Sequence, residues 1–159
     1  MLPDPLESQN VYVGKSPIPG AGQGLFAKRD INQFETVAFY NGFRLQNRLD
    51  FEEYSKLCHF KSSFADCHVY SVSTIFSEVL ALPPWYSSLG VYNATLGHKI
   101  NHHPTQFNVD FGGEEHPRFG NIGFIHAIKT IKKGQEILID YSYPETAWYK
   151  TNYPWYKWK

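Results

Sequence analysis

The sequence has little cysteine and no excess of charge of either sign. Cys58 and Cys67 are its only cysteines among 159 residues, which is too few for a disulfide framework or a four-cysteine zinc site. Fifteen basic residues balance fifteen acidic ones, so the chain lacks the basic surplus with which proteins bind DNA or RNA directly. These shortages argue against a disulfide-stapled secreted domain and against a nucleic-acid-binding protein.

Long apolar runs are also missing. No stretch approaches the roughly 20 apolar residues that span a bilayer. The first ten residues, MLPDPLESQN, contain no apolar signal core. We therefore predict a soluble intracellular protein that does not bind membranes, with a length that suits a single domain.

Aromatic residues, by contrast, are abundant at 17% of the chain, and short β-type segments alternate with Gly- and Pro-rich turns. These patterns predict a mainly-β domain over residues 10–143, preceded by a flexible start at 1–9 and followed by an aromatic tail at 144–159. Helices are predicted over 49–58, with Asp50 as the N-cap, and over 89–96. Strands are predicted at 10–15, 25–28, 35–40, 69–73, 107–111, 122–127 and 136–140.

Three separated segments could carry chemistry: GAGQGLF at 20–26, LGHKINHH at 96–103 and EILIDYSY at 136–143. Taken singly, each has an ordinary structural explanation as a turn, a set of helix-end hydrogen bonds, or core aromatics. The glycine-rich segment fits neither the dinucleotide fingerprint nor a phosphate-binding loop, because it lacks the βαβ context of the first and the Lys and Ser/Thr of the second.

A metal site is one interpretation of the middle segment, because His98, His102 and His103 cluster there and His116 lies downstream. His98 and His102 are four residues apart, a spacing that zinc sites use on helices. However, the chain has no HExxH pattern and no adjacent carboxylate that completes a ligand set. We therefore predict that the protein holds no metal.

The ordered set of three segments resembles the SET-domain protein lysine methyltransferases. The NH pair at 101–102 and the EILIDYSY segment match the family's motifs, and AGQGLFAK, VAFYNGFRL and HPRFGNI match further pieces. The resemblance runs from about Tyr12 to Tyr143 and is greatest to the histone monomethyltransferases that carry MORN repeats before the SET domain. It implies several small twisted sheets, few short helices and a C-terminal pseudoknot; the repeats are absent from this sequence.

This resemblance implies transfer of a methyl group from S-adenosylmethionine to a lysine side chain. Tyr141 would be the catalytic tyrosine, assisted by His102. Tyr40, Phe111 and Tyr143 would form the walls of the lysine channel. The residues that would bind the cofactor are Ala21, Gly22, Gln23, Asn101 and His102, with Trp148 or Trp155 from the tail stacking on adenine.

The resemblance further implies a lysine-bearing protein or peptide substrate, for which a histone tail is the family expectation, and a nuclear or cytoplasmic location. Where close relatives have a tyrosine that limits the methyl count, this chain has Phe111, and we predict that it can add a second or third methyl. Two other interpretations stay open: a non-catalytic SET-like module that binds cofactor or peptide, and a structural interaction domain.

Overall fold

The computed structural model describes residues 2–59, 71–73, 79–143, 145–152, 154 and 156. None of the helices in these ranges is long and apolar enough to cross a bilayer. The helices are α1 (Pro5–Asn10), α2 (Arg48–His59) and α3 (Ala147–Asn152). The strands are β1 (Val11–Lys15), β2 (Gln23–Ala27), β3 (Thr36–Tyr40), β4 (Phe43–Leu45), β5 (Ser71–Ser73), β6 (Val79–Ala81), β7 (Asn101–His102), β8 (Val109–His116), β9 (Gly120–Ala127) and β10 (Glu136–Ile139).

The strands form three small sheets, which confirms the predicted mainly-β architecture. Their orders are β1-β2-β10-β7, β3-β9-β8 and β4-β6-β5. All neighbouring pairs are antiparallel except β10 and β7, which run parallel. A parallel pair of strands requires a crossover connection. Here the crossover runs from the two-residue strand β7 through β8 and β9 to β10.

The main hydrophobic core contains side chains from the first two sheets. Its residues are mostly aliphatic and fully buried, as expected for strands that are packed on one face. They include Leu25, Ile31, Val37, Ile125, Ile131 and Ile137. The glycine-rich loop, the NH segment and the final strand are all attached to this core, so their relative positions are fixed by it.

The flexible start predicted for residues 1–9 is wrong, because the structure has a helix there. Asp4 caps α1 by accepting a hydrogen bond from Leu6 N at 2.9 Å. Glu7 is completely buried and its Oε1 accepts from Phe39 N at 2.7 Å and Leu96 N at 2.9 Å. These contacts fasten α1 across β3 and onto the segment that leads into the NH pair.

Most predicted strands are confirmed to within about two residues. The strand predicted at 107–111 is observed as β8, which covers 109–116. Residues 69 and 70 of the strand predicted at 69–73 lie outside the described residues. The helix predicted over 89–96 is wrong: turns occupy this segment, and a short 3-10 helix follows at Gly97–Lys99. Asp50 is not the N-cap of α2. Asn47 has that role, with Oδ1 accepting from Leu49 N, while Asp50 Oδ2 accepts from Asn47 N, a reciprocal arrangement typical of a capping box.

Two turn segments, 27–35 and 127–135, pair with each other about a local twofold axis. Ile31 N and Ile131 N each donate to the other residue's carbonyl, at 2.8 and 2.9 Å. Likewise Phe34 N donates to Ala127 O at 2.7 Å and Gly134 N to Ala27 O at 2.8 Å. Phe34 in the first turn segment therefore occupies the position that Gly134 occupies in the second. Both residues have positive φ, 71° and 83° respectively.

Replacing Phe34 with glycine is expected to raise the free energy of unfolding by about 0.5–1 kcal/mol. The left-handed conformation costs a residue with a side chain roughly 1–2 kcal/mol. Glycine avoids this cost but loses more backbone entropy on folding, which offsets part of the stabilisation. Little burial is lost, because Phe34 is 76% exposed. Urea unfolding measures the change. Phe34→Ala, which keeps the Cβ, is the control, and equal stability of the two variants would contradict the explanation.

Candidate active site

The site is organised by the parallel pairing of β7 and β10. Leu138 lies opposite Asn101 and Ile139 opposite His102. His103 N extends the ladder by donating to Ile139 O at 3.1 Å. The NH pair and the DYSY segment, which are far apart in sequence, therefore lie side by side, as the resemblance implied.

The glycine-rich loop joins these two segments through Asn101. Its Nδ2 donates to Gln23 O at 3.0 Å and to Glu136 Oε1 at 2.9 Å. Gly24 lies so close that a Cβ there would overlap the Glu136 carboxylate. Gly22 has a φ of 71°, a conformation that glycine adopts at low cost. The loop thus comes into direct contact with the NH pair at Gln23 and Gly24.

A cleft of about 1280 Å³ opens between these segments. Among the residues with predicted roles, its walls include Ala21, Gln23, Asn101, His102 and Tyr141. Gly22 shapes the backbone between two of these residues rather than forming wall surface. The volume is sufficient for a nucleoside-sized ligand, because ligand pockets commonly measure about 300–1,000 Å³.

His98 also lines this cleft, a position that sequence reasoning missed because it weighed this residue only as a metal ligand. The backbone of Ser87 and Thr95 lies near the ring, but neither ring nitrogen has a hydrogen-bonding partner among the described residues. Burial, with a smaller contribution from the neighbouring Lys99 charge and against the backbone of Ser87 and Thr95, lowers the pKa of His98 to about 4. The ring is therefore neutral at physiological pH.

The other two histidines of this segment have their Nδ1 atoms engaged. His102 Nδ1 accepts from Tyr141 N at 3.2 Å, and His103 Nδ1 accepts from Gln106 N at 3.0 Å. Across the described part of the chain, no group of three or more His, Cys, Asp or Glu side chains is placed to hold a metal ion.

Tyr141 is held at both ends. Its hydroxyl donates to Ile100 O at 2.7 Å, and its backbone N–H is bonded to His102, 39 residues away in sequence. Because Nδ1 of His102 accepts this bond, the neutral imidazole carries its proton on Nε2. A hydroxyl has only one proton to donate, so the Tyr141 oxygen presents acceptor capacity to any further group.

The three predicted channel residues lie apart from the cleft wall. Tyr40 and Phe111 meet edge to face with ring centroids 6.3 Å apart. The Phe111 ring lies directly against Gly123, where a Cβ would overlap it. The Tyr143 ring is 5.5 Å from that of Tyr141. Tyr141 thus contacts both the cleft and one of the residues predicted to form the channel.

The tail contributes one side chain that sequence reasoning missed. Trp148 lies in α3, but its side chain and the whole of Trp155 are outside the described residues. Tyr156 is only 6% exposed and stacks on the His102 ring, with centroids 4.1 Å apart. The tail sequence WYKTNYPWYKWK offers many aromatics, and nothing in their spacing distinguishes Tyr156.

Comparison with known proteins identifies the class. Residues 22–142 match the SET domain family model, so the chain belongs to the SET-domain family. Histone-lysine N-methyltransferase SETD7 of Halocynthia roretzi is 35% identical over 162 residues, which cover 99% of this chain and 39% of that protein. The chain therefore spans about two fifths of the length of this relative.

Solved structures show the same fold. An active polycomb repressive complex 2 in the stimulated state contains a chain that superposes with a TM-score of 0.62, at 26% identity over 87% of this chain and 16% of that one. CpSET8 from Cryptosporidium superposes with a TM-score of 0.61 over 85% of this chain and 58% of that one. At 17% identity, the second likeness concerns the fold alone.

Proposed function

We propose that this chain is a protein lysine methyltransferase that uses S-adenosylmethionine. The observation that carries the proposal is the β7–β10 pairing, which places Asn101 and His102 beside Tyr141 on one cleft. Membership of the SET-domain family and the 35% identity to a histone-lysine N-methyltransferase support it.

The polar groups of the cleft suit an amino-acid-bearing nucleoside. Asn101 Nδ2 is used within the protein, which leaves its carbonyl oxygen to accept from the ligand's ammonium group. The neutral His98 ring lines the same cleft and is proposed to offer a hydrogen bond to the ligand. His102 and the backbone of Ala21, Gly22 and Gln23 complete the proposed binding set, and Trp148 is proposed to stack on the adenine. When bound, the cofactor supplies a methyl group activated by a sulfonium.

Tyr141 is proposed to orient the reacting groups, with His102 holding its backbone. A lysine attacks only in its neutral form, although its usual pKa is about 10.4. A dry channel disfavours the ammonium form. Since the Tyr141 proton is committed to Ile100 O, its oxygen can accept a weak CH···O contact or an amine N–H. Alignment of this kind can contribute several kcal/mol to the rate.

The channel residues Tyr40, Phe111 and Tyr143 are proposed to enclose the alkyl stem and the methylated head of the lysine. Aromatic faces attract such cations. The substrate is proposed to be a lysine-bearing protein or peptide, with a histone tail first among candidates, in the nucleus or the cytoplasm. The tail over 144–159 is proposed to close the site.

Phe111→Tyr is expected to convert an enzyme that adds two or three methyl groups into one that stops at the first. The new hydroxyl would take up room beside Gly123, where the Phe111 ring already packs tightly, and would hold a water that the second methyl must displace. Mass spectrometry of the peptide product under excess enzyme measures this, with Phe124→Tyr as the control. A wild-type product that stops at one methyl would contradict the prediction.

The proposed function is tested by titrating S-adenosylmethionine calorimetrically into the protein and then following labelled methyl transfer to mixed histones. Asn101→Ala is expected to lose cofactor binding, whereas Thr105→Ala on the rim of the same cleft keeps it. Thermal unfolding of both variants shows that they remain folded. Binding without transfer to any lysine-bearing substrate would favour a non-catalytic module, and absence of binding would overturn the proposal.

A further inference from the structure

Tyr156 lies where the C-terminal tail meets the proposed catalytic residues. Its ring stacks on His102, with the planes inclined by only 17°. The Tyr156 ring also stacks on the ring of Tyr143, with centroids 5.0 Å apart. Aromatic pairs of this kind are stabilised beyond the area that they bury. His102 is thereby held against an aromatic ring from the tail.

The hydroxyl of Tyr156 connects the tail to the DYSY segment through hydrogen bonds. It donates to Asp140 Oδ1 at 3.4 Å and accepts from Tyr143 N at 3.3 Å. Asp140 Oδ1 also accepts from Ser142 N at 3.0 Å. Asp140 Oδ1 and His102 Nδ1 are 3.7 Å apart, which is beyond hydrogen-bond distance.

Among the described residues, the Tyr141 N–H and the Asp140 carboxylate therefore compete for His102 Nδ1. Unprotonated, it accepts from Tyr141 N, as observed at 3.2 Å. Protonated, it would instead donate to Asp140 and release the Tyr141 backbone. The Tyr156 hydroxyl and Ser142 N occupy Asp140 Oδ1, and the Tyr156 ring fixes the plane of the imidazole. Both effects favour the arrangement in which His102 holds Tyr141.

We infer that Tyr156 is a positioning residue that sets the orientation and the tautomer of His102, and through it the placement of Tyr141. The inference rests on the proposed function for its effect on turnover, but the state of the imidazole is a property of the protein alone. It makes Tyr156 part of the catalytic arrangement.

A double-mutant cycle tests the inference in the full chain. Tyr156→Phe keeps the stack and loses the hydroxyl bonds, and is expected to lower kcat about fivefold. Tyr156→Leu loses both and is expected to lower kcat about 30-fold or more. In a His102→Ala background, Tyr156→Leu should change kcat less than about twofold, because residues that act through one another are not additive.

Lys150→Ala is the matched tail control, because its ion pair with Glu145 is exposed. An equal loss from Tyr156→Leu with and without His102 would overturn the inference. Nitrogen-15 NMR of His102 provides a readout that does not depend on turnover. The wild type should show an unprotonated Nδ1, and Tyr156→Leu should show both tautomers in exchange.

The two proposals fail in different ways. Absence of methyl transfer with an imidazole signal that responds to Tyr156→Leu would reject the proposed function and keep the positioning role. Transfer with an imidazole signal unchanged in that variant would reject the positioning role and keep the function.

Discussion

Replacing Tyr141 with phenylalanine is expected to lower methyl transfer about 100-fold while changing the cofactor dissociation constant less than about threefold. The side chain loses only its hydroxyl, which the structure fixes on Ile100 O at 2.7 Å. The backbone bond to His102 does not depend on the side chain, so the cofactor-binding set is left in place. Single-turnover transfer and calorimetric titration separate the two quantities.

Tyr12→Phe is the matched control for this variant. Tyr12 is 41% exposed and stacks on Phe26 in the outer strand pair, away from the cleft-lining residues. The Tyr12→Phe variant should transfer methyl groups at the wild-type rate. Comparable rates in Tyr141→Phe and Tyr12→Phe would show that the Tyr141 hydroxyl takes no part in the reaction.

Stability is expected to fall as the pH rises from about 5 to about 8.5, because Glu7 is buried. Burial raises the pKa of Glu7 from its ordinary 4.5 to about 8, with a smaller contribution from Asp4 and opposition from the Phe39 and Leu96 N–H groups. Between these values the unfolded chain releases the proton while the folded chain keeps it. With each pH unit worth about 1.36 kcal/mol, the loss over this pH range is on the order of 4 kcal/mol.

Glu7→Gln is expected to remove most of this pH dependence. The amide oxygen can accept from the same two N–H groups as Oε1, and it has no proton to lose. The variant should match the wild type near pH 5 and exceed it near pH 8.5. Urea unfolding at both pH values measures the difference, with the exposed Glu115→Gln as control. Parallel pH profiles for wild type and Glu7→Gln would refute the explanation.

Local signals were sufficient to predict the strands and the three motif segments. The alternating residues around Val11–Lys15 and the apolar run within Glu136–Ile139 specify strands through their own side chains. The family resemblance then implied that the NH and DYSY segments meet. The meeting of Asn101 with Leu138 is a non-local pairing, and no pattern within either segment specifies it.

The error at Glu7 and the failure to single out Tyr156 have a common physical cause, which is tertiary contact that outweighs local propensity, whereas the error at 89–96 has a local cause. Glu7 sits in a polar, Pro-bearing segment, and its burial is determined by N–H groups on two distant elements. At 89–96, Gly90 and Asn93 interrupt a helix that the apolar spacing favoured, and the chain turns at Ser88, whose carbonyl accepts from Tyr92 N. Tyr156 is distinguished from the other tail aromatics only by what it contacts.

The parallel β7–β10 pair has a consequence for biosynthesis. A ribosome releases Asn101 and His102 before the residues of β10, so the NH pair must wait for its partner strand while the intervening hairpin β8–β9 is already free to close. Hairpins form within about 1–10 μs, whereas translation adds only about 5–20 residues per second. The cleft can therefore form only after the β8–β9 hairpin, and a nascent chain that ends before Glu136 lacks one of its walls.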